Sequence, residues 1–435
     1  MTGATPVSPN PVSQPPVATA IGNPFSRPLV SPPNSPDAPG EISVATEIPV
    51  ATLRTPKDPT EPIGIRRRVF RFIGWSIRGL FCIASLIALL AVLSAIPIFQ
   101  LIAFGYLLDV AGRLTRGAKF RDSLPNLQRA GTIGLAATAI FVASLPTQLL
   151  VHWESVAQLI DPGSLQATLL RVLAFACSFA AMGYLLWAWV RGGQLRHYLW
   201  PQPKRFLREG WRPGTWSTIP DRLWDFTVAL ELPRLFWLGT RGAVATLIWL
   251  VPGMIIIAMN RNGETPVAGL IGGLALIAMG GVLLYLPMLQ AHFAAENRLG
   301  AMFELRRIRQ DFRRAPWAWL LAMIFGLVIL PIPLYLLKIE ATPREVLWLP
   351  CVVFVGFILP ARVGEGLALR RARRRPDPSG LWAGISIWSV RVLMLAVVGT
   401  YLIFLTVSQF TSWDGLPTWV EQHAILFPRP FIGGV

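Results

Sequence analysis

The sequence predicts an all-α fold, a polytopic transmembrane helical bundle of roughly seven to nine membrane segments. Interfacial helices line its cytoplasmic side, and a disordered tail precedes it. Three observations predict this. Hydrophobic residues make up 53% of the 435 and charged residues only 14%, where soluble proteins carry about a quarter charged. The apolar residues fall in runs close to the roughly 20 that a spanning helix needs. The basic residues gather in alternate connecting segments.

Residues 1–62 hold 15 of the 38 prolines and a single aromatic residue, Phe25. Such a stretch cannot bury enough apolar surface to offset chain entropy, so an extended, polyproline-like tail is expected. Pro6–Pro9 and Pro33–Pro36 have the spacing of a proline-rich ligand, but that spacing arises easily in a tail this rich in proline. A protein partner for the tail is an expectation of the same weight. No apolar leader segment is visible before residue 63, so the first long apolar run is expected to act as the insertion signal.

The candidate segments are 79–112, 131–151, 167–190, 242–259, 267–293, 317–337, 346–359 and 390–410. The connecting segments 113–129, 191–241, 294–316 and 361–375 are basic; the last three hold nine, six and six Lys or Arg. The intervening loops 152–166, 260–266 and 338–345 are poor in positive charge, as is the C-terminal segment 411–435. Alternation of this kind orients helical membrane proteins with basic loops in the cytoplasm. It predicts a cell (inner) membrane protein with an extracytoplasmic C-terminus and, on the hairpin reading below, a cytoplasmic N-terminus. The net charge of +17 then reads as orientation and contact with anionic lipid headgroups, not as nucleic-acid binding.

One segment resists the pattern. Both ends of 79–112 are basic, with Arg66, Arg67, Arg68, Arg71 and Arg78 before it and Arg113 and Arg116 after. Either it is a re-entrant hairpin of two half-depth helices folded at Pro97, or it is one span that continues as an interfacial helix. The hairpin is the preferred reading.

Two connecting segments look amphipathic. In 295–314, Leu299, Met302, Phe303, Leu305, Ile308 and Phe312 recur near helical spacing among arginines. That pattern predicts a basic helix on the membrane surface. Residues 219–240, in a region rich in Trp, predict a second surface helix capped by Thr218 and kinked or ended at Pro233. The pentapeptides Ile96-Pro-Ile-Phe-Gln100 and Leu286-Pro-Met-Leu-Gln290 are alike. Each precedes a basic stretch and then Pro125 or Pro316, which would fit two related halves.

Gly105-Tyr-Leu-Leu-Asp-Val-Ala-Gly-Arg-Leu-Thr-Arg-Gly117, followed by Leu124-Pro125, resembles a signature of a prokaryotic multi-pass family called domain of unknown function four-thousand-and-thirteen. Ala291 to Ile308, with Arg314-Ala-Pro-Trp317, is similar to its second signature. The resemblance covers roughly residues 75–340. Asn126, Leu127 and Gln128 depart from the acidic residues and Trp that the family carries after Leu-Pro, and the 191–241 insert and the extra C-terminal spans are unusual for it. The resemblance implies an integral membrane protein and brings no activity, cofactor or site residues.

Direct signs of chemistry are sparse. Zinc-protease, phosphate-loop and paired-cysteine spacings are absent. Cys82, Cys177 and Cys351 lie in apolar runs and read as small core residues, not as metal ligands. His292 and Glu296 share a helix face where a span leaves the membrane, and a polar interfacial pair is the ordinary reading. Asp109, Arg171 and Arg391 lie near span ends, where a charged group reaches water at small cost. The pairs Gly272-Gly273 and Gly280-Gly281 read as close-packing positions. A non-enzymatic accessory or organising protein is therefore the first expectation. A small-solute or lipid transporter of two related halves is the alternative, and an intramembrane enzyme ranks well behind both.

Overall fold

The computed structural model describes residues 65–200, 202–209, 213–259, 266–329 and 348–411. The expected tail 1–62, residues 260–265, residues 330–347 with the end of the expected segment 317–337, and the segment after 411 lie outside the described residues. Every regular element among the described residues is a helix: α1 (Ile65–Ala95), α2 (Gln100–Thr115), α3 (Phe120–Ser123), α4 (Leu127–Ile160), α5 (Leu165–Val190), α6 (Leu195–Leu199), α7 (Pro203–Glu209), α8 (Pro213–Val228), α9 (Leu232–Met259), α10 (Pro266–Glu296), α11 (Leu305–Arg314), α12 (Pro316–Met323), α13 (Trp348–Arg374) and α14 (Leu381–Thr411). A 3₁₀ turn, Leu299–Phe303, joins α10 to α11, and α12 continues as a π-helix over Ile324–Ile329. Among the described residues, seven stretches are long and apolar enough to cross a membrane, and α11 with α12, bent by 107°, makes an eighth if counted as one broken span.

The chain folds back at Pro97. It breaks over residues 96–99, where Ile98 takes a φ of +72°. Cys82 lies against Gly131 and Ser85 against Gly134, so α1 and α4 run parallel. Only residues 116–126 separate the end of α2 from the start of α4, and Gly131 lies against Cys82, so α2 must return along α1 to about the level of Cys82. The hairpin is not a pair of half-depth helices, however. α1 alone holds a 24-residue stretch of spanning length, Phe72–Ala95.

α2 is the hub. All of Ile102–Gly112 is buried, with Leu114 and Thr115. It crosses α9 backbone to backbone, runs alongside α13 and ends against α10. A Cβ on Gly105 would stand 1.9 Å from the Leu235 carbonyl oxygen, and one on Gly239 would stand 1.9 Å from that of Leu101. Only glycine permits that approach. α2 and α9 therefore run antiparallel, as do α9 and α10, with Thr246 opposite Gln290 and Gly253 opposite Met279. Gly366 faces Ala111 and Arg370 reaches Ala118, which makes α13 parallel to α2. The seams are filled by Phe104, Leu108, Leu283, Leu286, Phe293 and Leu369.

These directions gather the end of α2, the starts of α4, α9 and α12, α11, and the ends of α10 and α13 at one end of the bundle. That end carries the basic connecting segments. α4 and α5 lie at the edge of the bundle, with α4 packed on α1 and α5 on α4. α4 buries only Ala130 and Gly131, and α5 only Ala167, Ala174, Trp187 and Ala188.

Several boundaries differ from the sequence reading. Of the expected stretch 346–359, residues 348–359 belong to α13, which continues through Pro360 to Arg374, so the basic run is helix over 361–374 and not loop. The expected surface helix 219–240 divides at 229–231. α8 begins at Pro213, ahead of Thr218, and Pro233 is the second residue of α9 and not a helix end. The expected helix 295–314 divides at Asn297, which closes α10 with a φ of +54°. Its apolar face is covered by protein only in part: Met302, Ile308 and Phe312 are buried, with Phe312 packed edge-on against Trp319, whereas Leu299 and Phe303 stay exposed. Of the paired glycines on α10, Gly280 meets α14 at Val398 and Leu402, whereas Gly273 and Gly281 face open space.

Candidate functional site

Two layers of charge lie inside this bundle, one closing its basic end and one deeper. In the end layer, Asp109 is 1% exposed on α2. It accepts from Arg113 Nε one turn on at 2.6 Å and from Arg234 Nη2 of α9 at 3.0 Å. Arg116 comes no closer to it than 3.9 Å. Instead Arg116 donates to the carbonyls of Ala294 and Ala295, both at 3.0 Å. Those are among the last carbonyls of α10, which its own helix leaves unpaired. Asp109 thus needs no reach to water; three arginines surround it.

His292 sits beside this layer, buried on α10. Glu296 is 4.0 Å from its Nδ1, too far for a hydrogen bond. The nearer partners are Arg373 Nη2 of α13, 2.5 Å from Nδ1, and Glu304 Oε2, 2.9 Å from Nε2. A guanidinium can only donate, so Nδ1 must accept and Nε2–H must donate to Glu304, which assigns a neutral tautomer. His292 and Arg298 hold the Glu304 carboxyl below the usual carboxylate range. Asp311 of α11 closes the layer. It is fully buried, with Arg314 at 3.6 Å and Arg373 at 4.0 Å, and its oxygens accept no hydrogen bond among the described residues. Burial pushes its carboxyl up.

The deeper layer is Arg362 and Glu365 of α13, paired at 2.9 Å and 1% and 4% exposed. Arg362 lies twelve residues before Arg374, about 18 Å up the helix from its basic end. Its guanidinium carbon is 5.8 Å from the Phe104 ring centre. The π-helical turn carries Gly326 opposite Glu365. Charge at this depth is costly unless paired, and π-turns collect at functional positions. The charge pattern hid this pair, because Arg362 was counted with the basic run that follows it. The available signal was Glu365 three residues on, inside an apolar, glycine-containing stretch.

The remaining sequence candidates separate from these layers. Arg171 pairs with Glu154 between α5 and α4 at 2.7 Å, far along the chain from either layer. Arg391 stacks over Trp388 and Phe312 at the rim. Cys82 and Cys351 are buried and Cys177 half-buried; all three are free thiols.

Comparison finds a family likeness in part of the chain. Residues 224–339 match the family model described as Protein of unknown function (DUF4013). The second of the two signatures, 291–317, falls within the matched range and the first, 105–117, outside it. No curated protein and no solved structure matches the chain.

Proposed function

We propose that this chain is a non-enzymatic accessory or organising protein of the cell membrane, a rigid bundle that presents the α4–α5 hairpin to a partner within the bilayer. The observation that carries the reading is the contrast between that hairpin and the core. Among the described residues the helices around α2 are closed by apolar side chains and paired charges, whereas α4 and α5 expose Phe141, Leu149, Phe175 and Phe179 along their length. Helices in lipid associate through packing, with no hydrophobic drive between them. α4 packs on α1 by one face, but both helices leave most of their length uncovered by their own bundle and so offer an association surface. In this reading the basic end faces the cytoplasm and meets anionic headgroups, the C-terminus lies outside, and the proline-rich tail tethers a second protein from the cytoplasm.

Photo-crosslinking residues at positions 141, 149 and 175 test it in native membranes. One discrete protein adduct recurring from positions on a shared face supports the reading. Lipid adducts alone from all three positions overturn it.

The alternative, a small-solute or lipid transporter of two related halves, draws its support from the Arg362–Glu365 pair and the π-turn beside it. Against it, the two similar pentapeptides differ in backbone: Ile96–Gln100 spans the break after α1, while Leu286–Gln290 continues α10 without interruption. Solute flux into proteoliposomes that Glu365→Gln abolishes would favour this reading.

A further inference from the structure

Two exposed arginines at the rim of the bundle stand without a carboxylate. Arg309 of α11 is exposed, and its guanidinium carbon lies 5.6 Å from the centre of the Tyr285 ring. Tyr285 is eleven residues before the end of α10, about 16 Å along the helix, inside an apolar stretch of spanning length. Arg391 is exposed ten residues into α14, about 15 Å along it. Its guanidinium carbon lies 5.0 Å from the Trp388 ring centre and 6.0 Å from that of Phe312. Phe312 follows Arg309 by one turn on α11, so both cations border the same groove between α10, α11 and α14. Arg313, one turn beyond Arg309, is also exposed. None of the three makes an ion pair among the described residues. Arg314, by contrast, pairs with Asp377 at 2.8 Å, a carboxylate whose charge Arg313 also feels.

The surroundings are those of a headgroup boundary. Trp317, Trp382 and Trp388 are exposed around the groove, and tryptophan collects where apolar chains meet water. Val392 and Leu395 are exposed on α14 beyond Arg391, an apolar track leading away from the cations. A phosphate answers the planar fork of donors of a guanidinium that has no carboxylate. We propose that this groove binds the phosphate headgroup of an anionic phospholipid through Arg309, Arg391 and Arg313, with an acyl chain along Val392 and Leu395. The site shares no residue with the α4–α5 surface, so it stands or falls separately from the organising role.

The test uses the full chain in a neutral detergent and follows its thermal midpoint while phosphatidylglycerol, phosphatidylcholine or inorganic phosphate is added. Phosphatidylglycerol is expected to raise the midpoint saturably, and the other two to leave it unchanged. Arg309→Gln/Arg391→Gln is expected to need about thirtyfold more phosphatidylglycerol for the same shift, the worth of two basic residues at an anionic surface. Arg121→Gln/Arg371→Gln removes two exposed charges elsewhere at the basic end and is expected to behave like wild type. Should the first double variant unfold, Arg309→Gln alone, at an exposed position packed only on a ring, carries the comparison with about a fivefold loss. Equal loss in the control variant would overturn the site in favour of diffuse charge attraction. An equal response to inorganic phosphate would overturn the lipid as its ligand.

Discussion

Gly105→Ala tests the central crossing of the bundle. The new methyl carbon would stand 1.9 Å from the Leu235 carbonyl oxygen and 2.9 Å from the Gly239 nitrogen. Both are backbone atoms of α9, so no side chain can swing aside. An ordinary carbon–oxygen approach is about 3.3 Å, which requires the two helices to part by about 1.4 Å. A gap of 0.5–1 Å already forfeits roughly a quarter to a half of each contact's dispersion energy, and the seam runs the length of the most buried helix. The expected cost is about 3–5 kcal/mol, above the usual range of overpacking. Gly239→Ala, which meets Leu101 at the same distance, should cost as much. Because either methyl alone parts the helices, the double variant should be little worse than one single variant, a marked failure of additivity. Gly273→Ala, with open space around its Cβ, should be neutral or gain up to about 1 kcal/mol of helix propensity. Thermal unfolding of the purified chain in detergent measures all four; a loss of roughly 6 °C or more is expected for Gly105→Ala. An unchanged midpoint, or additive losses in the double variant, would refute the reasoning.

Three further outcomes follow from the charges and the hairpin. Glu365→Leu removes the carboxylate that Arg362 pairs with in the core and should cost about 3–5 kcal/mol, whereas Arg362→Leu/Glu365→Leu should recover most of it; paired unfolding midpoints decide this, and a double variant no better than the single sinks it. Glu304 is held below its ordinary range, so its pairing with His292 and Arg298 adds stability above about pH 4.3, the unfolded value, and loses it as pH falls through the depressed folded value. A midpoint measured against pH should therefore drop at acid pH, less so in Glu304→Gln, and identical profiles would remove Glu304 as a cause. Single cysteines replacing Arg78 and Arg121, both exposed, should react with a membrane-impermeant thiol reagent from the same side of sealed vesicles; opposite sides would exclude the fold-back at Pro97.

The apolar run lengths made the bundle legible because lipid demands them and little else produces them. The runs 131–151, 167–190, 242–259, 267–293 and 390–410 lie inside α4, α5, α9, α10 and α14. Pro97 was legible as a break because both flanks are basic. Pro360 looks no different in sequence, yet α13 continues through it, since neighbouring helices can satisfy the freed carbonyl. Arg362 and Glu365 were lost with it, because a loop charge count treats every arginine after a proline as solvated. The polar partners of His292 were out of reach for another reason. Glu296, one turn away, is what helical spacing offers, whereas Arg373 arrives from α13, 81 residues along the chain. The Gly105–Gly239 crossing was equally hidden, since either glycine alone is ordinary in a membrane helix.

The burial of α2 sets a timetable for biosynthesis. Its partner α9 is made long after it, and Arg370, which caps Ala118 at its exit, follows 252 residues later. At roughly 5–20 residues per second, α2 waits on the order of 10–50 s before α13 exists. Throughout that interval the Asp109 carboxylate has Arg113 of its own helix but not Arg234, and both glycine-bearing faces lie bare. A newly inserted α1–α2 hairpin is thus an unfinished substrate for whatever shelters nascent membrane helices. Ribosomal pausing between codons 115 and 366 would lengthen its exposure and raise the fraction degraded before the bundle closes.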